Sequence, residues 1–270
     1  APEVLSTMNL DFGDPNRALP CVQTDLHALP VLIYEYLFFR HPLIGPKIYS
    51  PTSAEEDDFL ALGPLATFIE NPDDTSNRPP DLGVTIKSLS AGLEKLFLKA
   101  FADGLHNPAE RPAAMEWERE LLRAWDRLVP CANPRCEKKW FILRDENNPV
   151  CPFCGTKIDG KIITLSFKSE MRGKKGVFRD KSQVVVYDRM PLYDWQVFSN
   201  VHNDEKADPA MRAYAAFYNG MWLLVNSSVE GMMSPSGRLV PAGSAVELKD
   251  RSVFRMTDKE NGLLCEVSIT

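Results

Sequence analysis

Two pairs of cysteines at short spacing constrain the fold of this chain more than any other feature. Cys131 and Cys136 enclose four residues, and fourteen residues later Cys151 and Cys154 enclose two. Such pairs suit one tetrahedral zinc ion, because each turn points two sulfurs inward at about 2.3 Å from the metal. The other interpretations are a disulfide pair, which is typical of short secreted domains, or buried cysteines without a ligand. All four expected ligands are thiolates, so we expect a structural Zn²⁺ with no open catalytic position.

The cysteine segment also separates two kinds of sequence. Before residue 131 the apolar residues recur with helical spacing, and after residue 160 they alternate in short runs between turn residues. Between the cysteine pairs, Trp140-Phe141-Ile142-Leu143 is expected to form a short strand, as in a zinc ribbon. We therefore predict a multi-domain α + β protein with a helical region at 1–130, a four-cysteine zinc ribbon at 131–160 and a β-sandwich at 161–270.

Charge and hydropathy indicate the class of protein. The formal net charge of −6 argues against a general affinity for nucleic acid, and the net negative charge lies before residue 131, where Asp and Glu outnumber Lys and Arg. No apolar run reaches the roughly 18 residues that a membrane span needs, and the pattern leads us to expect no cleavable leader. Cys21 and Cys265 are isolated, which favours buried thiols over reactive ones. We expect a cytoplasmic protein with no membrane partner.

Three helices are predicted in the first 130 residues. The segment Asp25–Phe39 is apolar on nearly all sides, which is typical of a helix buried in the middle of a domain. A second helix is stopped by Gly104, and a third begins at Pro112 and ends at Pro130. The residues expected to face inward from these two helices are Leu89, Leu93, Leu96, Phe97, Ala100, Phe101, Met115, Leu121, Leu122, Trp125 and Leu128.

Four pieces of this helical region resemble, in the same order, the lower half of the C-terminal lobe of eukaryotic-type Ser/Thr protein kinases. Ala1-Pro2-Glu3 resembles the motif that closes the activation segment. Thr24-Asp25-Leu26-His27-Ala28-Leu29 through Tyr34-Glu35 resembles the start of the buried central helix, and Arg40-His41-Pro42-Leu43 resembles its exit. Asn107 through Trp117 resembles the turn into the last helix. The resemblance covers roughly residues 1–128.

The resemblance assigns roles to individual residues. It implies that Glu3 pairs with Arg111 in a buried bridge between the activation segment and the last helices. It implies that Asp25 accepts hydrogen bonds from the backbone of the catalytic loop. An ordinary surface ion pair and a helix cap are the alternative interpretations of these residues.

The same resemblance bears on catalysis. A kinase needs a Gly-rich loop, a strand lysine, a catalytic Asp loop and a metal-binding Asp-Phe-Gly motif. In the family these precede Ala-Pro-Glu, where this chain begins, and Asp11-Phe12-Gly13 follows that motif and is expected to be a loop. We expect that the chain does not transfer phosphate by itself. The competing hypothesis is an active kinase whose N-terminal half lies outside this sequence.

Short strands with period-two alternation are predicted after Gly160. A basic hairpin is expected at Lys168–Lys181, with Lys174, Lys175 and Arg179 near its tip. The tip is either simply solvated or a docking surface for an acidic partner, including the acidic first half of the chain. The predicted strands are Ile162–Phe167, Gln183–Tyr187, Trp195–Phe198, Trp222–Asn226, Ala245–Leu248, Val253–Met256 and Leu263–Ile269.

The last third of the chain resembles a forkhead-associated domain. Asn219 through Ser228 and Val240 through Leu248 follow that pattern. The family reads phosphothreonine through an Arg and a Ser on adjacent loops, with a His that shapes the site. Leu192-Tyr193-Asp194-Trp195-Gln196 occupies the corresponding region without those residues, so Asn226, Ser227 and Ser228 are expected to hold a turn rather than a phosphate.

The order of these three regions is similar to the C-terminal part of bacterial kinases from tellurite-resistance-associated systems. There a kinase is the catalytic subunit of a triad with a von Willebrand A-type protein and a metal-dependent phosphatase. The resemblance implies that the zinc ribbon and the β-sandwich recruit the von Willebrand A-type partner. The alternative from another class is a zinc-ribbon nucleic-acid-binding protein, which a net charge of −6 disfavours.

Overall fold

A computed structural model describes residues 1–48 and 54–270, and these divide into two compact units, 1–121 and 122–270. The first unit is helical and the second is built from antiparallel sheets. The cysteine segment 131–160 lies in the second unit together with residues 161–270. Within the described ranges, no helix is both long enough and apolar enough to cross a membrane.

The bounds of the helices agree only in part with the sequence pattern. A π-helical turn, Lys99–Asp103, continues the fourth helix as far as Gly104, in agreement with the predicted end of this helix. The unit boundary falls inside the fifth helix. The helices are α1 Pro2–Thr7, α2 Val22–Phe38, α3 Ala54–Leu62, α4 Ala91–Leu98 and α5 Ala114–Trp125.

Aromatic side chains form the centre of the first unit. The ring of Phe97 lies 5.5 Å from that of Tyr34 and 4.8 Å from that of Trp117, and Phe68 lies 5.0 Å from Phe101. All five side chains are buried. Because each buries a large apolar area in tilted or edge-on contact, this cluster is the main source of hydrophobic stabilisation in the unit.

The prediction that α2 is buried on nearly all sides is wrong. Its buried residues, His27, Pro30 and Tyr34, form one stripe, and Pro30 lies inside the continuous helix. On the other side Tyr36 is 82% exposed, and Phe39, just after the helix, is 90% exposed. The described elements of the first unit therefore cover a single face of this apolar helix.

Two residues of α5 that were predicted to face inward are exposed instead. Trp117 is the residue that packs against Phe97, whereas Met115 is 76% exposed and Trp125 is also exposed. Residues two apart point to opposite sides of a helix, so Met115 cannot share the buried face of Trp117. Burial of the large Trp117 side chain therefore decides which face of α5 packs inward.

The second unit contains one two-stranded sheet and two four-stranded sheets. The small sheet pairs β1 with β2. The first four-stranded sheet has the order β4-β3-β10-β9, and the second four-stranded sheet has the order β5-β6-β7-β8. The strands are β1 Leu128–Pro130, β2 Trp140–Ile142, β3 Ile163–Met171, β4 Lys174–Val185, β5 Pro191–Leu192, β6 Ala213–Tyr218, β7 Met221–Asn226, β8 Ala245–Glu247, β9 Val253–Arg255 and β10 Leu264–Ile269.

The two four-stranded sheets enclose one core. Phe167 and Phe254 from the first sheet and Ala215 and Leu224 from the second belong to the same buried cluster. Cys265 lies in this core, as predicted, but Cys21 is exposed at the start of α2, which contradicts its predicted burial.

Several elements differ from the sequence prediction. The third predicted helix ends at Trp125 rather than at Pro130, because Leu128–Pro130 pairs with Trp140–Ile142 as β1, and the short strand β5 was not predicted. The strand predicted at Trp195–Phe198 is instead a short helix, α6 Asp194–Val197. Strand β6 was not predicted, although Asn219-Gly220, both with positive φ, joins it to β7 in a tight hairpin. An Asn-Gly pair between two apolar runs is the sequence signal that could have identified it.

Candidate functional site

Two backbone turns present the four cysteines. In the first, the Cys131 amide donates to the Lys139 carbonyl at 2.7 Å, and the Cys136 amide donates to the Asn133 carbonyl at 3.0 Å. The first turn therefore closes on itself between β1 and β2.

The second turn follows the same principle. The Cys151 amide donates to the Thr156 carbonyl and the Gly155 amide donates to the Cys151 carbonyl, each at 2.9 Å. Gly155 has φ +72°, a conformation that glycine adopts without strain. The sequence Cys-Pro-Phe-Cys-Gly thus forms a compact loop that directs both of its sulfur atoms toward the same point.

The four sulfurs lie close enough together to share one metal ion. The Sγ atoms of Cys131 and Cys154 are 3.5 Å apart, those of Cys136 and Cys151 are 3.9 Å apart, and all four lie within 4.8 Å of one another. Four sulfurs at about 2.3 Å from a central ion would be about 3.8 Å apart. The group can therefore bind a metal ion without a large rearrangement.

The cluster is open on one side. Cys136 and Cys151 are buried, Cys131 is half-buried and Cys154 is exposed. Burial raises the pKa of Cys131 to about 12, whereas hydrogen bonds with Thr156 lower the pKa of Cys154 to about 6. Thiols this close cannot all ionise without a cation, because each thiolate repels the others. A metal ion bound between the sulfurs would supply that cation.

The apolar support of the cluster is small. Val129, Phe141 and Leu143 are buried beside Cys136 and Cys151, and Ile162 and Val185 complete this local core. A core of this size gains stability from an additional cross-link. A metal ion bound to the four sulfurs would be such a cross-link.

One ion pair beside this core was not predicted. Arg127 donates to the Leu143 carbonyl at 2.7 Å and to Glu146 Oε1 at 3.0 Å. Three basic residues close to the cysteines in the sequence, Arg135, Lys138 and Lys139, have exposed side chains.

Glu3 and Arg111 form the pair that the resemblance implies. Two parallel hydrogen bonds of 2.8 Å join the guanidinium to the carboxylate. The Arg111 side chain is 0% exposed and also donates to the carbonyls of Gln23, Gly104 and Leu105. Burial opposes ionisation of Glu3, but the Arg111 guanidinium holds the pKa of this carboxyl below its ordinary value.

The remaining predicted residues are exposed. Asp25 lies in the first turn of α2, where a carboxylate interacts favourably with the helix dipole. Residues 168–181 form the hairpin of β3 and β4, as predicted, and Lys174, Lys175 and Arg179 are exposed on it. Arg179 donates to Ser169 Oγ at 3.3 Å.

A buried polar network in the first unit was not predicted. Tyr34 donates its hydroxyl proton to Glu70 Oε1 at 2.6 Å, and Glu70 Oε2 accepts from the Ile86 amide at 2.9 Å. Arg40 lies 3.6 Å from the same carboxylate and bonds the carbonyls of Leu82 and Val84. These partners are far apart in the sequence, so no local pattern indicates them.

Tyr34→Phe is expected to lower the free energy of unfolding of the first unit by about 1–3 kcal/mol, because it removes the donor to a buried carboxylate. Tyr36→Phe is the matched control, since Tyr36 lies on the same helix and is exposed. It should change stability by less than about 0.5 kcal/mol. Urea titrations of the two variants test this, and equal effects would contradict it.

His27 should make the first unit sensitive to acid. Burial lowers the pKa of this imidazole to about 4. Because the folded pKa lies below that of the unfolded chain, the contribution to stability is complete above about pH 6.5 and is lost as the pH falls towards 4, at a total of about 3 kcal/mol. Thermal unfolding between pH 7 and pH 4 should be less pH-dependent for His27→Gln than for the unchanged chain. His202→Gln, at an exposed position, should leave the dependence unchanged.

Comparison with known proteins does not identify the cysteine centre. Neither models of protein families nor curated protein sequences match this chain. The chemistry follows from the donor set: four thiolates in tetrahedral arrangement suit zinc or iron.

Proposed function

We propose that this chain is the C-terminal regulatory and protein-binding region of a Ser/Thr protein kinase in a bacterial phospho-signalling system. It recruits a von Willebrand A-type protein, acts beside a metal-dependent phosphatase, and does not transfer phosphate by itself. Its compartment is the cytoplasm. The zinc ribbon and the forkhead-associated-like sandwich are the binding modules.

The ion pair of Glu3 and Arg111 carries the kinase assignment. The two residues are 108 positions apart, and they meet in a bidentate, largely buried contact. An arginine whose every donor group is satisfied in this way is a specific arrangement rather than a surface ion pair. It joins the two segments that resemble Ala-Pro-Glu and the last helices of a kinase lobe.

The exposed apolar side of α2 supports a protein-binding role. Leu32, Tyr36 and Phe39 are all exposed on or next to that side. Apolar patches on otherwise polar surfaces are typical of protein interfaces.

The proposed metal is zinc in a structural role. Four thiolates fill a tetrahedral coordination sphere, so no position remains for a substrate or for a reactive water. When bound, the ion would cross-link the turns at Cys131–Cys136 and Cys151–Cys154. The chain's own residues then present the ribbon surface to a partner.

The forkhead-associated-like assignment is supported by the two four-stranded antiparallel sheets that enclose one core. The turn after β7 is held by Asn226, as the sequence predicts. Asn226 is fully buried, donates to the carbonyls of Val229 and Val240, and accepts from the Val229 amide. These hydrogen bonds engage both the amide nitrogen and the amide oxygen of the Asn226 side chain, so Asn226 stabilises the turn rather than binding a phosphate.

The basic tip, defined as Lys174, Lys175 and Arg179, is a proposed docking surface for an acidic partner.

Two measurements with the purified 270-residue chain test the proposal. Affinity capture from its own cell extract should enrich a protein with a von Willebrand A-type domain, and Lys174→Glu combined with Lys175→Glu should weaken that capture. Incubation with MgATP and a generic protein substrate should incorporate no labelled phosphate. Phosphate incorporation, or capture of nucleic acid in a salt-dependent manner and of no such protein, would contradict the proposal.

A further inference from the structure

The two faces of the second four-stranded sheet are both apolar. Along β6 and β7, buried residues such as Ala215 and Leu224 alternate with Ala216 and Leu223, which are only partly buried. The buried set belongs to the core between the sheets. The other set forms what we call the outer face, and none of its members is buried. The outer face consists of Pro191, Tyr214, Ala216, Tyr218, Met221, Leu223, Val225, Ala245 and Glu247.

An antiparallel sheet that faces water on one side normally carries polar residues there. The outer face has one charged member, Glu247, which is already paired with Lys249 at 3.0 Å. The composition is therefore that of a surface that is covered.

The first four-stranded sheet is an internal reference for this observation. Its outward residues include Ser166, Lys168, Gln183, Glu266 and Ser268, and Lys168 forms an ion pair with Glu266. Over these residues the sheet follows the usual alternation of apolar inside and polar outside; its outward positions also include Leu264 and, at the end next to the cysteine segment, the buried Thr164 and Val185. The same chain thus treats its two sheets differently, and solubility alone does not account for the difference.

The size of the outer face indicates what covers it. At about 4.8 Å between strands and about 3.4 Å per residue, the six-residue strands β6 and β7 together with the shorter strands β5 and β8 present a planar area of about 280 Å². A stable dimer of two copies needs about 800 Å² from each partner. One amphipathic helix, about 10 Å wide, fits a face of this width when three or four turns lie across it. Packing one helix on a sheet is also the usual way to cover an apolar sheet face.

We propose that the outer face of the second sheet binds one amphipathic helix of a partner protein. The helix presents an apolar stripe to Leu223 and Val225, and the exposed side chains of Tyr218 and Met221 at the hairpin end contact its flank. The inference rests on the proposed protein-binding function, because it names the surface and the chemistry of the partner for that function.

The probe is a labelled sixteen-residue helical peptide with leucines at every third or fourth position and equal numbers of Lys and Glu elsewhere. Its fluorescence anisotropy is measured with the full chain. Binding that Val225→Glu or Leu223→Glu weakens at least tenfold supports the inference. Ser166→Glu and Ser268→Glu introduce the same charge on the first sheet and should leave binding unchanged. A peptide of the same composition with its leucines scrambled should not bind.

Several outcomes overturn the inference. The first is absence of peptide binding, and the second is an equal loss of binding in the variants of both sheets. A dimer in light scattering that Leu223→Glu dissociates would identify a second copy of the chain as the occupant. Association with phosphatidylcholine vesicles that Leu223→Glu abolishes would identify a lipid surface. If the von Willebrand A-type protein is captured equally well by Leu223→Glu, this inference fails while the proposed function stands.

Discussion

Replacement of Cys136 or Cys151 by serine is expected to abolish metal binding and to unfold the segment from β1 to Ile158. Both side chains are buried beside Val129, Phe141 and Leu143, so each change removes a ligand and leaves a polar hydroxyl in a small apolar core. Structural zinc contributes on the order of 10 kcal/mol to the folding of ribbon-sized segments. No apolar contact available in this core compensates for such a loss.

The measurement combines metal analysis with hydrogen exchange. The unchanged chain should contain one zinc per chain, and the two variants less than a tenth of that. Amides of β1 and β2 should lose protection, while β6 and β7 should keep theirs because their core is separate. Cys21→Ser is the matched control, since Cys21 is a free, exposed thiol outside the cluster. It should retain both metal and protection.

Proton competition provides an independent check. The ligands bind as thiolates, so metal affinity should fall as the pH drops below 7 and protons should be released on binding. A chain purified without metal, with β1 and β2 protected and both variants unchanged, would refute the structural role of the ion.

The clustering of the four cysteines was predictable from sequence because its determinants are local. Each pair of cysteines lies within one turn, and hydrogen bonds inside each turn set the directions of the sulfurs. The spacing therefore contains most of the geometry. The surrounding core was less predictable, because Ile162 and Val185 reach it from other segments of the chain.

Burial was harder to predict than secondary structure. Helix α2 was identified, but its apolar residues surround the helix, so the pattern does not distinguish the packed stripe of His27 and Tyr34 from the exposed side of Tyr36. The decision depends on which elements reach the helix, and that is a property of the tertiary structure. The same reason applies to both apolar faces of β6 and β7.

Polar contacts between distant residues depend on the fold as a whole. The carboxylate of Glu70 meets Tyr34 and Arg40 only because the chain returns to α2 after α3. Helix α6 is stabilised by a contact of the same kind, the bidentate pair of Arg212 with Asp194. A four-residue helix is only about one turn long, so its sequence shows no helical periodicity and was interpreted as a strand.

Arg111→Met is expected to lower the free energy of unfolding of the first unit by about 3–5 kcal/mol. It leaves the Glu3 carboxylate without its partner, and it removes the donors to the carbonyls of Gln23, Gly104 and Leu105. Removing one member of a buried ion pair costs this much because the remaining charge stays desolvated. Hydrogen exchange of the α2 amides in increasing urea reports on this unit. Lys99→Met, which removes a half-exposed partner of Glu116, should cost less than about 1 kcal/mol.

Glu3→Gln separates the charge of this pair from its packing. The folded-state pKa of Glu3 is lowered, so its contribution to stability is present above about pH 4.5 and is lost as the pH falls through the folded pKa. Glu3→Gln should therefore be less stable than the unchanged chain at pH 7, and the difference should shrink towards pH 3. In a double-mutant cycle with Arg111→Met, a coupling of at least about 1.5 kcal/mol is expected for residues in direct charge contact. Additive effects and a difference independent of pH would show that Glu3 and Arg111 do not form the bridge on which the kinase assignment depends.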